Sequence, residues 1–152
     1  MGGYNGGEIA SSVATVSAKN YILDNFDDAI GSGDPKHPKK EEILELIRSA
    51  MECANEAINE RASQREELEQ MGTTLEICLI YNNRAYIGHI GDSRIYRIRK
   101  SIIRRITTDH SYVQELVNDG KITKEEAFYH PKKNMLVKAV RVLLIYRSRC
   151  NG

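Results

Sequence analysis

An acidic residue in a tight turn is the first feature of this chain that could do chemistry. The string G-D-S-R occupies residues 91–94, directly after a stretch with strand-like alternation. The carboxylate of Asp92 is a hard oxygen ligand of the kind that Mg²⁺ and Mn²⁺ prefer. Aspartate is also common in turns, where it pairs with backbone amides or a nearby cation. The residue type alone leaves both chemistries open, and in the second Asp92 caps the turn and pairs with Arg94 or with backbone amides.

Three further strings accompany this turn in a fixed order. M-G-T-T lies one hairpin upstream at 71–74, T-T-D-H-S lies one strand downstream at 107–111, and H-P-K-K-N follows at 130–134. Each string is weak alone, but the ordered set resembles the type 2C metal-dependent protein serine/threonine phosphatases in their bacterial form. The resemblance runs from residue 1 to about 140. Residues 1–11, M-G-G-Y-N-G-G-E-I-A-S, are similar to the second half of the family segment D-G-M-G-G-x-x-x-G-E-x-A-S.

The resemblance implies a fold, a chemistry and partners. The family fold is an α/β fold, an α-β-β-α sandwich with antiparallel sheets. At one end, aspartates hold two Mn²⁺ or Mg²⁺ ions, which activate a bridging water for attack on phosphorus. The implied partners are a phosphoprotein substrate and a cognate serine/threonine kinase, and the implied cofactor is Mn²⁺ or Mg²⁺.

The resemblance also assigns roles to individual residues. Asp92 would face a third, weaker metal position, and Thr74 would hydrogen-bond waters on the metals. Gly2 and Gly3 would flank the metal-bridging aspartate. The remaining matched positions are interpreted as structural: Gly72, Thr73, Gly91, Ser93, Arg94, Asp109, His110, Ser111, His130 and Asn134.

The sequence departs from the family pattern at both ends. The bridging aspartate would lie two positions before Met1, and the N-E-D motif would lie further upstream. The S-D-G and D-N motifs do not follow residue 140. We therefore expect an incomplete domain, with residues 1–140 as its central part. We assign no catalytic residue, and we expect no tightly bound metal ion and no activity from the chain alone.

Hydrophobic periodicity predicts the elements that position these motifs. A 3.6-residue period predicts helices over about 8–25 and 40–62, packed antiparallel on a sheet, with a short helical region closing near 70. The period then changes to two, which predicts a four-stranded antiparallel meander over 73–106 with a tight turn at Asn82 and Asn83.

Helical signals return after the meander. Ser111 with Gln114, and Thr123 with Glu126, have the spacing of capping boxes. Residues 112–129 resemble the family's flap, a small subdomain that influences which phosphoprotein is accepted, although a solvated helical hairpin explains the pattern equally well. The adjacent Asp109, His110 and Ser111 favour a helix N-cap cluster over a catalytic triad, because triad members converge from separate elements.

Composition excludes some partners. The chain has 22 Lys and Arg against 21 Asp and Glu, so its net charge of +1 argues against nucleic-acid binding. Its longest apolar run, at 142–146, is too short to span a bilayer. Three cysteines without C-x-x-C spacing indicate reduced thiols and a cytoplasmic protein. We expect no membrane partner.

The last twelve residues, 141–152, form an atypical basic tail without any acidic residue. A foreign or frameshifted tail is one interpretation, and a divergent edge strand is the other. Missing strands would leave sheet edges uncovered, which predicts marginal stability or self-association. A non-catalytic, pseudophosphatase-like interaction module is accordingly the alternative to an enzyme. The alternative to self-association is that the tail folds back as a substitute strand and caps the uncovered edge.

Overall fold

The computed structural model describes residues 6–31, 40–133, 135 and 141–147, the last as backbone strand only. The chain divides into two compact units, one of residues 1–89 with 140–152 and one of residues 90–139. In chain order the elements are α1 (Gly7–Ile30), α2 (Lys40–Ser63), a 3-10 helix (Glu66–Leu68), β1 (Leu75–Tyr81), β2 (Arg84–Ile90), β3 (Tyr96–Arg99), β4 (Ile102–Arg105), α3 (Tyr112–Asn118), α4 (Lys124–Tyr129) and β5 (Arg141–Arg147). None of the helices among the described residues is long and apolar enough to cross a membrane.

In the first unit, α1 and α2 pack through small side chains. Alanines four residues apart on each helix fall on one face and are buried: Ala10, Ala14 and Ala18 on α1, and Ala50 and Ala54 on α2. Ala10, near the start of α1, shares a cluster with Ala62, near the end of α2. The helices therefore run antiparallel, as the sequence predicts.

The first helix is longer than predicted. Its expected end near Asn25 is wrong, because the helix continues to Ile30. The side-chain Nδ2 of Asn25 donates to the Tyr21 carbonyl (2.8 Å) one turn earlier. The next turn is held by Phe26, whose ring meets the Tyr81 ring edge-on at 5.4 Å between centroids. The helix stops at Gly31, where φ is +64° and the N–H bonds to the Asp27 carbonyl.

The predicted hairpin of β1 and β2 is confirmed. Asn82 and Asn83 have φ of 47° and 58°, the left-handed values of a two-residue type I′ turn. The sheet packs closely on α2 at Gly88, where a Cβ would lie 2.5 Å from Ile47 Cγ2. A glycine is therefore required where strand and helix meet.

The predicted four-stranded meander is wrong. On the side away from β1, β2 pairs antiparallel with β5, with Ile87 opposite Leu143, while β3 and β4 form a separate two-stranded sheet. The edge of β2 that a meander would offer to β3 is occupied by β5. Residues 141–147 thus form an edge strand, in line with one of the two interpretations of the tail.

The second unit contains a tight turn between its strands and a side-chain cap at the start of each of its helices. Lys100 and Ser101 turn β3 into β4 with φ of 47° and 60°. The predicted capping box of α4 is complete, with Thr123 N–H donating to Glu126 and Glu126 N–H donating to the Thr123 hydroxyl. In α3 the box is only half made: the Ser111 hydroxyl accepts from Gln114 N–H, but the Gln114 side chain bonds Asn118.

Candidate functional site

The G-D-S-R turn and the T-T-D-H-S segment lie together in the second unit. Gly91 N–H donates to His110 Nδ1 (3.3 Å), and the Gly91 carbonyl accepts from His110 N–H (2.8 Å). Gly91 has φ of +112°, a conformation that L side chains rarely adopt. One residue past the motif, Ile95 N–H donates to the buried hydroxyl of Thr107. Hydrogen bonds therefore connect the G-D-S-R turn to the T-T-D-H-S segment.

The carboxylate partner of Arg94 is Asp109. The Arg94 Nη2 lies 2.7 Å from Asp109 Oδ2, and its Nε lies 3.1 Å from Oδ1. Arg105 donates to the same carboxylate and, through Nε, to the Thr107 carbonyl at 2.7 Å. The bonds from Asp109 raise the pKa of the Arg94 guanidinium above its usual value. The alternative that Asp92 pairs with Arg94 is therefore wrong, because the bidentate geometry is already satisfied by Asp109.

The Asp92 carboxylate is exposed and opens into a pocket. Among the described residues, no hydrogen bond or ion pair holds it. The pocket has a volume of about 490 Å³ and lies wholly within the second unit. Its wall combines the G-D-S-R turn, Asp109 and the two helices α3 and α4. Asp92 is thus accessible to a ligand, as a candidate metal carboxylate needs to be.

The M-G-T-T string belongs to the first unit. Met71 is buried beside Leu68 and Ala10, and a Cβ on Gly6 would lie 2.7 Å from Leu68 Cδ2. The start of α1 therefore packs on the residue that opens the string. Thr73 and Thr74, half-buried, lead into β1, and the Thr73 hydroxyl donates to the Thr74 carbonyl (3.0 Å). Within the part of the chain that the structure describes, and apart from the two neighbours of Gly72 in the chain, no atom lies within 4 Å of the position that a Cβ would take there.

The remaining predicted residues are placed as follows. Ser93 is half-buried, and Ser111 caps α3 as predicted. His130 ends α4, accepts from Lys132 N–H at 3.1 Å and lies near the Tyr112 ring, which fits a structural role. Gly2, Gly3 and Asn134 lie outside the described residues, so their roles stay predictions.

The described residues do not fit a divalent metal centre. No group of three or more His, Cys, Asp or Glu side chains comes together within them. Asp109, the other carboxylate of the pocket, is occupied by two guanidinium groups. A lone carboxylate displaces the waters of Mg²⁺ poorly. We therefore derive no chemical step through a metal ion on this part of the chain.

Sequence reasoning missed two pairings. Arg105 shares Asp109 with Arg94, and Glu76 Oε1 lies 3.1 Å from Nδ1 of His89, a histidine that is 1% exposed. The second pair could have been found, because both residues lie the same number of positions from the two-residue turn and so face each other across the hairpin. No local sequence pattern indicates that Arg105 and Arg94 share the Asp109 carboxylate.

Most of this chain is similar in sequence to known proteins. A family model described as protein phosphatase 2C matches residues 1–143. The serine/threonine protein phosphatase PstP of Mycobacterium tuberculosis is 36% identical over 140 residues, covering 92% of this chain and 25% of PstP. The protein phosphatase PhpP of Streptococcus pneumoniae is 36% identical, covering 92% of this chain and 52% of PhpP. The chain thus spans a quarter to about half of the length of these relatives.

Solved structures agree with the sequence relatives. The crystal structure of Stp1, a serine/threonine phosphatase from Staphylococcus aureus, matches with a TM-score of 0.76 and 30% identity, covering 95% of this chain and 56% of Stp1. The catalytic domain of PstP, solved in complex with two manganese ions, matches with a TM-score of 0.66 and 32% identity, covering 96% of this chain and 59% of that domain. By its matched sequence and its fold, the chain belongs to the protein phosphatase 2C family.

Proposed function

We propose that this chain contributes to metal-dependent dephosphorylation of phosphoserine and phosphothreonine proteins, and that residues 1–152 alone are inactive. The observation that carries the first part is the family match over residues 1–143, together with the G-D-S-R turn fixed to the T-T-D-H-S segment. Of the two relatives, PstP is a serine/threonine protein phosphatase by name, and PhpP is a protein phosphatase by name.

The second part of the proposal rests on the number of ligands. Asp92 is the only carboxylate of the family's metal motifs in this sequence, and a hydroxide generator needs two ions held by several carboxylates. The cofactor of the complete domain is Mn²⁺ or Mg²⁺, in line with the manganese complex of the PstP domain. The implied partners are a phosphoprotein and the cognate kinase that phosphorylates it, and the implied compartment is the cytoplasm.

A chimera tests both parts. Residues 1–140 replace the matching segment of the streptococcal PhpP, so that the flanking aspartates come from the relative. Phosphate release from a phosphothreonine peptide is measured with Mn²⁺ for the chimera and for the 152-residue chain. We expect release from the chimera only. A chimera that folds and binds Mn²⁺ without releasing phosphate would contradict the phosphatase role, and release by the chain alone would contradict its inactivity.

A second candidate function is a non-catalytic interaction module that self-associates. The observation that favours it is the ribbon of β3 and β4, where Ile98 and Ile103 face each other and are 71% and 66% exposed. Paired apolar side chains on an exposed ribbon favour burial against a partner.

Sedimentation velocity over a concentration series tests this candidate. Ile98→Ser should reduce a concentration-dependent dimer, whereas Leu23→Ser, which removes an apolar side chain 67% exposed on α1, should not. A monomer at all concentrations would contradict the module.

A further inference from the structure

The pocket beside Asp92 carries more positive than negative charge. Four cationic side chains line it, namely Arg94, Arg105, Lys124 and Lys133, against the carboxylates Asp92 and Asp109. Asp109 is already held by both guanidinium groups. The two lysines therefore contribute positive charge that Asp109 does not neutralise.

The two arginines are fixed rather than free to move. Arg105 Nε is bound to the Thr107 carbonyl at 2.7 Å, and Arg94 binds Asp109 through both Nε and Nη2. The bonds that fix them do not use every N–H of a guanidinium, which carries five. Donors held in place in this way bind a carboxylate at a lower entropic cost than mobile side chains do.

The flap side of the pocket offers an apolar surface next to its lysines. Val113 and Val117 of α3 and Ala127 and Phe128 of α4 line this side. Phe128 is 67% exposed, and the Lys133 Nζ lies 5.3 Å from the centroid of its ring. A ligand that matches this side of the pocket carries apolar groups for the apolar surface and negative charges for the lysines. A peptide with both apolar and acidic side chains meets this description.

We propose that this pocket is a docking site for an acidic peptide segment of the phosphoprotein substrate, with Lys124 and Lys133 as its specificity-determining residues. The proposal rests on the proposed phosphatase function for the identity of the partner. Charge complementarity selects the acidic residues, and the exposed face of Phe128 contacts the peptide between them. Because Asp92 lines the same pocket, the docked segment is held beside the candidate metal carboxylate.

Peptide binding tests this site without any catalytic step. A fluorescein-labelled peptide rich in Asp and Glu, with no phosphate, is titrated with the full chain, and fluorescence anisotropy is followed. A matched peptide with Asn and Gln at the same positions is the control for charge. We expect the acidic peptide to bind more tightly, with an affinity that falls as salt is raised.

Substitutions then locate the site. Lys124→Gln with Lys133→Gln should weaken binding about three- to tenfold, as expected for the loss of two partly exposed charge contacts. Lys121→Gln is the matched control, since Lys121 is an exposed flap lysine paired with Asp119 and does not line the pocket. Thermal melts verify that all variants remain folded.

Each outcome supports the site or overturns it. Weaker binding in the double variant alone supports the site. Equal affinity for the acidic and the neutral peptide, or equal weakening by Lys121→Gln, would overturn it. Because the readout is binding of an unphosphorylated peptide, a failure here leaves the chimera's phosphate release untouched, and a failed chimera leaves this result standing.

Discussion

Arg94 binds Asp109, not the aspartate two positions before it. The Nη2–Oδ2 distance is 2.7 Å, and the two residues are separated by the whole β3–β4 ribbon in sequence. The arginine of the G-D-S-R string thus anchors the turn to the segment that leads into α3. Asp92 remains exposed to the pocket.

This difference predicts unequal roles for the two aspartates in stability. Asp109→Asn removes the charge that two guanidinium groups share, and should lower the free energy of unfolding by about 1–3 kcal/mol, at the lower end because the arginines are partly exposed. Asp92→Asn should change it by less than about 0.5 kcal/mol. Urea denaturation compares the variants, and an Asp92→Asn variant as unstable as Asp109→Asn would contradict this arrangement.

The contact of β2 with α2 predicts a glycine requirement. In Gly88→Ala the new methyl would lie 2.5 Å from Ile47 Cγ2 and 2.8 Å from Met51 Sδ, so the unfolding free energy should fall by about 1–3 kcal/mol. Gly72→Ala is the matched control, because its added Cβ would have no described atom within 4 Å other than those of its chain neighbours. Equal melting temperatures for the two variants would be inconsistent with the close packing.

The capping box of α4 predicts a pH dependence. The hydrogen bond from Thr123 N–H lowers the pKa of Glu126 below its ordinary value of 4.5. A carboxyl with a lowered pKa in the folded state stabilises the fold above its unfolded pKa, and this contribution is lost as pH falls through the folded pKa. The Thr123 amide shift in NMR should therefore titrate with a midpoint below 4.5. Glu126→Gln should abolish the titration and Glu125→Gln should preserve it, and a midpoint above the ordinary value would count against the box.

The pairing of β5 with β2 predicts the effect of removing the C-terminal strand. Deleting residues 141–152 uncovers the edge of β2, whose backbone groups then lack the partners shown in the register. We expect lower stability and aggregation of the shortened chain. Light scattering after size exclusion measures this, and a shortened chain that stays monomeric and equally stable would contradict the structural role of β5.

Local signals account for the features that the sequence predicts well. Asn82 and Asn83 specify a turn by their tolerance of positive φ, and Thr123 with Glu126 specifies a cap by spacing alone. The ordered motifs likewise indicate the family and the α/β fold.

Contacts between residues far apart in the sequence explain the predictions that were wrong and the pairings that were missed. Which strand occupies the free edge of β2 depends on residues some fifty positions away, and nothing in β3 or β5 alone decides it. The partner of Arg94 likewise depends on the path of the β3–β4 ribbon, which brings Asp109 back to the turn. The end of α1 depends on Phe26 meeting Tyr81 of β1.

Binding of Mn²⁺ to the chain tests the central claim most directly, namely that it carries the family's scaffold and G-D-S-R turn without the ligands of a two-metal centre. Isothermal titration calorimetry with Mn²⁺ measures the number of sites and their affinity. We predict no binding in the micromolar range, because one exposed carboxylate cannot hold the ion tightly. Two Mn²⁺ ions bound with micromolar affinity would contradict the claim.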